Sequence, residues 1–97
     1  MRVEELFKVL SCRWRIAIVK MVAEQPLCQC EIERMLPIDK TNLSRHVKLL
    51  RMAGIIEEEI QGPAKRISLK DPRVLELLAL AEAVAGDTVT VSREETP

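Results

Sequence analysis

Two sets of residues carry chemistry beyond packing. The first is Cys28-Gln29-Cys30, a thiol pair one residue apart, with Cys12 as a third and last cysteine. Thiolates favour soft ions such as zinc, cadmium or arsenic-type centres. Two sulfurs do not close a tetrahedral site, which takes four ligands. On a regular helix, positions i and i+2 point about 200° apart, so both thiols reach one ion only where the chain is extended or distorted. Pro26, just upstream, makes an irregular start there reasonable. Cys12 is the third candidate ligand. A helix of about ten residues between it and Cys28 would separate them by about 15 Å at 1.5 Å per residue, so Cys12 joins only from a partner chain or after rearrangement. Oxidation of the pair is an alternative switch that needs no metal, and plain burial of the thiols is another.

The second set lies in Asp39–Gly54, DKTNLSRHVKLLRMAG. On a helical wheel Leu43, Val47 and Leu50 form a narrow apolar stripe, and Thr41, Arg45, Lys48 and Met52 fall opposite. Lys40 to Arg51 holds five basic residues, counting His46, and no acid. Cations interleaved with hydroxyl and amide groups suit phosphate oxygens and base edges. The candidate nucleic-acid contacts are Thr41, Asn42, Ser44, Arg45, His46 and Lys48. Thr41, Arg45 and Lys48 are expected to face a groove, with Asn42 and Ser44 at its flanks. His46 is better matched to this surface, or to the backbone behind it, than to metal ligation.

The elements that position these residues can be read from caps and periodicity. Val3, Leu6, Phe7 and Leu10 open the chain as a short amphipathic helix. Ser11 is expected to cap a second helix, which carries Ile16, Val19 and Ala23 and stops at Glu24-Gln25-Pro26, because a residue before proline avoids helical angles. Leu27–Leu36 reads as a third helix with Leu27, Ile32, Met35 and Leu36 on its buried side. Pro37–Lys40 leads tightly into the fourth, capped by Asp39 and ended by Gly54. Two helices joined this way form a helix-turn-helix candidate.

Beyond Gly54 the pattern changes to strand. Ile56, Glu58 and Ile60 alternate with Glu57 and Glu59, and Ile67 and Leu69 alternate with Arg66, Ser68 and Lys70, around a Gly62-Pro63 turn. Lys65 and Arg66 are the cations this hairpin can offer to phosphate. Asp71 and Pro72 start a last helix. From Val74 to Ala85 only Glu76 and Glu82 interrupt apolar residues. A helix apolar nearly all round is buried on more than one side, which in so small a protein means a partner chain. The order is α-α-α-α-β-β-α: mainly α with a small hairpin, a winged helix-turn-helix over residues 1–85, with 86–97 expected as a flexible tail.

Composition narrows the function class. Ninety-seven residues make one small domain that buries about 60–65% of its unfolded surface. Formal net charge is zero, from 15 basic and 15 acidic residues. Nucleic-acid binders are often basic overall, so the case rests on local polarisation. Phe7 and Trp14 are the only aromatics, which disfavours readers of single strands, since those stack bases on aromatic rings. Duplex DNA is the expected partner, with no membrane and no nucleotide cofactor. Neither a membrane-length apolar run nor a signal-peptide pattern is present, and a cytoplasmic location is expected. An odd cysteine count argues against a disulfide framework. No nucleophile–base pair, glycine-rich phosphate loop or carboxylate constellation is evident, so an enzyme is not expected. A winged-helix module that binds protein rather than DNA is the alternative, favoured by the neutral charge and acidic strand.

Three stretches, ELFKVLSCRWRIAIVKMV, PLCQCEIERML and TNLSRHVKLLRMAGIIEEEIQG, resemble the ArsR/SmtB family of small dimeric repressors. The likeness runs over residues 5–85. Ser44–His46, followed by Lys48, Leu50 and Ala53-Gly54, matches the family's recognition-helix pattern, and Cys28/Cys30 stand where members often carry a Cys-x-Cys pair. The resemblance implies a homodimer joined through first and last helices, with the Asp39–Gly54 helix in the major groove and the hairpin as a wing. It also implies a repressor needing no cofactor to fold, released by a soft metal or metalloid inducer. Two departures stand out. The first wing strand is acidic at Glu57–Glu59, where carboxylates beside DNA cost affinity. The family's Asp-Pro-Thr-Arg lead-in to the second helix is Cys12-Arg13-Trp14-Arg15 here. The last helix has no histidine, so the zinc site some relatives place there is excluded.

Overall fold

Apolar residues at helical spacing, broken at Pro26, Pro37 and Gly54, divide the first half of the chain into four helices in the computed structural model. These are α1 (Val3–Val9), α2 (Arg13–Glu24), α3 (Gln29–Met35) and α4 (Lys40–Met52). Strands β1 (Ile56–Gln61) and β2 (Ala64–Leu69) follow, then α5 (Arg73–Glu95). The structure describes residues 1–95, with side chains as far as Gly86.

The expected winged helix-turn-helix is thus present, and α4 has the expected ends. Asp39 accepts the Asn42 amide at 2.8 Å, a cap that contributes about 1 kcal/mol. Gly54 turns the chain at φ +75°, in the left-handed region open to glycine at no steric cost. Leu43 and Leu50 are fully buried and Val47 nearly so. They pack into one core with Ile18 and Val22 of α2, Ile32 of α3 and Ile67 of β2. The hairpin pairs in antiparallel register from Ile56↔Leu69 to Gln61↔Ala64, and Gly62 at φ +62° makes its turn. Only its root is buried: Ile56 is 1% exposed and Ile60 79%. The tip therefore projects from the body.

Four details differ from the sequence reading. Cys12, not Ser11, is the N-cap residue of α2. The Ser11 hydroxyl instead donates back to the Lys8 carbonyl at 2.7 Å, closing α1. Helix α3 starts at Gln29, because Leu27 leaves the helical path to exchange two backbone hydrogen bonds with Ile67, at 3.0 and 2.7 Å. Met35, expected inside, is 62% exposed, while Ile32 alone on α3 is fully buried. A helix of seven residues has room for one buried turn only. Lastly, the segment expected as a tail is helical to Glu95. Gly86 is the only glycine of the segment, and one glycine costs a helix only about 1 kcal/mol. Residues 96–97 lie outside the described residues.

Helices α1 and α5 leave apolar side chains uncovered. Val74 and Leu78 of α5 reach the core, but Val3 (66%), Phe7 (52%), Leu80 (68%) and Val84 (65%) are exposed. The exposed Lys20 and Glu82 pair α2 with α5, an ion pair that adds little stability. Among the described residues no helix is long and apolar enough to cross a membrane.

Candidate functional site

The outer face of α4 separates polar side chains that are committed to the protein from those left open. Thr41, Arg45 and Lys48 are exposed and make no hydrogen bond or ion pair among the described residues. They are spaced 4 and 3 apart, so they share one side of the helix. Lys65 on the wing is likewise exposed and open. A groove of ≈ 320 Å³ between α3, α4 and the hairpin brings Lys48 and Lys65 together with Gln29, Ser44, Arg51 and Glu58.

The other expected nucleic-acid contacts are engaged internally. Asn42 turns its side-chain amide onto Asp39 Oδ2 at 2.8 Å, doubling the cap. The Ser44 hydroxyl accepts from Gln29 Nε2 at 2.7 Å. Arg66 pairs with Glu31 Oε1 at 3.2 Å and donates to the Pro26 carbonyl at 3.4 Å. This turns Arg66 toward α3, whereas Lys65 remains open on the wing.

His46 is half-buried at the α2–α4 junction. Arg15 Nη1 lies 3.0 Å from its Nδ1. A guanidinium only donates, so Nδ1 accepts and the proton sits on Nε2. Arg15 also donates through Nε to the Val9 carbonyl and, at 3.5 Å, through Nη2 to that of Lys8. One arginine thereby caps α1 and braces the back of α4. Desolvation, with the charges of Arg15 and then Arg45, pushes the His46 pKa below its ordinary value. The folded state therefore takes up this proton less readily than the unfolded chain. Stability should be full above the ordinary histidine pKa and decline as pH falls through it. Denaturant melts between pH 8 and 5 check this: His46→Gln should remove that part of the decline, and an unchanged profile would clear His46 of it.

The acidic strand has a structural account in part. Glu58 forms an ion pair with Arg51 at the end of α4, and it sits across from Ile67 on the hairpin face that carries Ile56. That carboxylate is turned onto a cation of α4. Glu59 lies opposite Arg66 in the strand register.

The cysteine segment is irregular, as a shared ion would require. Cys28 is extended (φ −81°, ψ 158°) and Gln29 is the first helical residue. The Cys28 and Cys30 Cα atoms are 5.4 Å apart, and their sulfurs are joined in a disulfide. The N–H of Cys28 donates to Glu31 Oε1 at 2.9 Å. Cys12 is a free, half-buried thiol. Within one chain it stands apart from the pair: the described residues contain no group of three His, Cys, Asp or Glu side chains able to hold a metal ion. The length of α2 keeps Cys12 at the far end of that helix.

Sequence reasoning did not single out Arg15, Gln29 or the Arg51–Glu58 pair, and it weighed Glu31 only as an oxygen donor near the cysteine pair. One signal existed for Arg15, since it fills the last place of the lead-in tetrapeptide where the resembled family also has arginine. Gln29 and Glu31 flank Cys30 but gave no sign of their partners.

Comparison with known proteins agrees with this geometry. The family described as "Bacterial regulatory protein, arsR family" matches residues 14–58, from the start of α2 into β1. An uncharacterized HTH-type transcriptional regulator, MJ1325, of Methanocaldococcus jannaschii is 30% identical over 79 residues, covering 80% of this chain and 89% of that protein. The HTH-type transcriptional repressor SmtB of Mycobacterium tuberculosis is 31% identical over 83 residues, which is 86% of this chain and 62% of the repressor. The crystal structure of M. tuberculosis Rv0081 superposes with a TM-score of 0.83 at 29% identity, covering 92% of this chain and 90% of the other. With its helix-turn-helix, hairpin wing and open basic row, the chain belongs to the arsR family of transcriptional regulators, DNA-binding proteins and not enzymes.

Proposed function

We propose that the protein is a dimeric, sequence-specific binder of double-stranded operator DNA. It represses transcription and is released when Cys28 and Cys30 capture a soft metal or metalloid ion of the arsenite, cadmium or zinc type. The observation that carries the DNA reading is the open row Thr41, Arg45 and Lys48 on a face whose neighbouring polar groups are already engaged. That row enters the major groove, Arg45 reads a base edge, and Lys48 and Lys65 neutralise phosphates. His46 and Arg66 hold α4 and the wing in place.

The exposed Val3, Phe7, Leu80 and Val84 on α1 and α5 support a dimer through these two helices. Covering such surface yields about 25 cal/mol per Å². Sedimentation equilibrium at micromolar concentration should give twice the chain mass; a monomeric mass there would remove this part of the proposal.

The cysteine pair supports the sensing reading because Cys28, being extended, brings its sulfur to that of Cys30. Both would bind one thiophilic ion as thiolates. The described residues supply no third ligand, so the remaining positions fall to groups from outside this chain's own fold. Titrating reduced protein with arsenite, cadmium or zinc while following duplex binding tests this. DNA release is expected in the wild type and not in Cys28→Ser/Cys30→Ser, and identical behaviour of both proteins would retire it.

The disulfide favours a second reading, in which oxidation is the signal. Two thiols and one hydrogen peroxide yield the disulfide and two waters, both electrons passing to the peroxide oxygens. Peroxide should then release DNA, and dithiothreitol should restore binding.

A further inference from the structure

His46 is the only histidine of the chain and the central residue of the 13-residue α4. It follows Arg45, which stands on the open face, but its own ring meets α2, where Arg15 Nη1 lies 3.0 Å from Nδ1. The same guanidinium donates to the carbonyls of Val9 and Lys8. Arg15 thus fastens the midpoint of α4 to the end of α1. The contact has one chemical condition. A guanidinium only donates, so Nδ1 must keep its lone pair. A proton on Nδ1 replaces that lone pair with a second N–H, and donor then faces donor. At this junction Arg15 of α2, Arg45 of α4 and Lys8 of α1 are all positive. Among the described residues no carboxylate pairs with the imidazole to offset them.

We propose that Arg15 is a positioning residue for DNA recognition, and that its hold on unprotonated His46 makes operator affinity fall as pH falls. This rests on α4 being the recognition helix. With the ring neutral, Arg15 spans both helices and fixes α4 between Arg45 and Lys48. With the ring charged, Arg15 keeps only the two α1 carbonyls, and α4 loses its brace. A proton can shift DNA affinity only because it favours one of these states over the other. Burial, then the charges of Arg15 and Arg45, already make the folded protein take up this proton less readily than an ordinary histidine. The loss of affinity therefore sets in below the ordinary value of 6.5. Its sign is opposite to that of a histidine facing phosphate, where protonation adds attraction. By linkage, bound DNA must make His46 harder to protonate by the same factor.

The test uses the full chain and a duplex selected at pH 7 from a random-sequence pool. Fluorescence anisotropy at constant ionic strength gives affinity between pH 7 and 5, with circular dichroism confirming the fold at each pH. Wild-type affinity should fall, approaching about tenfold for each pH unit below the His46 pKa. A single histidine gives a single set of imidazole proton signals, so its titration by nuclear magnetic resonance should show a lower pKa with DNA than without. Arg15→Ala removes the brace and leaves the field of the phosphates alone; its affinity should stay level or rise toward pH 5. A merely structural Arg15 would instead lower affinity equally at every pH, and the wild-type profile retained in Arg15→Ala would overturn the assignment. His46→Asn places an uncharged amide oxygen near the position of Nδ1 and should show a level profile, which carries the test should Arg15→Ala not fold. Wild-type affinity that is level or rises toward pH 5, or a pKa that DNA raises, would overturn the proposal and leave α4 as the recognition helix. Wild-type protein that binds no duplex at any pH would overturn both.

Discussion

Arg45→Ala should weaken binding to a selected duplex by about 1–3 kcal/mol, the range for losing a bidentate contact to a base edge. That is a loss of up to about a hundredfold, since 1.4 kcal/mol is tenfold. The size follows from position. Arg45 is exposed on the open face of α4, and no side-chain hydrogen bond or ion pair among the described residues is broken by its removal. Binding to unselected DNA should fall much less, because that rests on phosphate charge. Lys48→Ala should behave differently, weakening all duplexes alike and reducing the salt slope by about one. Fluorescence anisotropy over a salt series distinguishes the two. Equal affinities for wild type and Arg45→Ala at every salt concentration would mean that α4 does not read bases.

Leu43→Ala should destabilise the protein by about 2–5 kcal/mol, the cost of lost burial plus the cavity that remains. Leu43 is fully buried on the underside of α4, in the same core as Ile18, Ile32 and Ile67. Small domains have only about 5–15 kcal/mol in total, and each kcal/mol moves Tm by about 4–8 °C at this size. A fall in Tm of more than about 10 °C is therefore expected, with Leu43→Met losing far less because volume is conserved. The comparison must hold protein concentration constant, since association raises apparent stability. A Tm within 2 °C of wild type would mean that the core does not depend on this helix. Together the two substitutions separate the faces of α4: one changes recognition without stability, the other stability first.

Local chemistry determined what the sequence alone revealed. The Asp39 carboxylate caps the helix that starts one residue later, and Gly54 supplies the left-handed turn that ends it. Both act within a few residues, so their outcome is legible without the rest of the fold. The same holds for the Gly62 turn and for the 3–4 spacing that put Leu43, Val47 and Leu50 inside. Local rules also misled where a distant partner competed. Leu27 reads as helical and is drawn off to Ile67, 40 residues away in sequence. That displacement frees Cys28 from helical geometry and lets the two sulfurs meet. The tertiary structure alone decided which polar groups remain available. Ser44, His46 and Arg66 look as ready for DNA in the sequence as Arg45 and Lys48 do. They are held by Gln29, Arg15 and Glu31, at separations of 15, 31 and 35 residues. A hydrogen bond needs its two groups within about 3 Å in space, whatever their distance along the chain. Periodicity therefore identifies the face of α4, and only the packing of α2, α3 and the hairpin against that helix selects the residues on it that stay open.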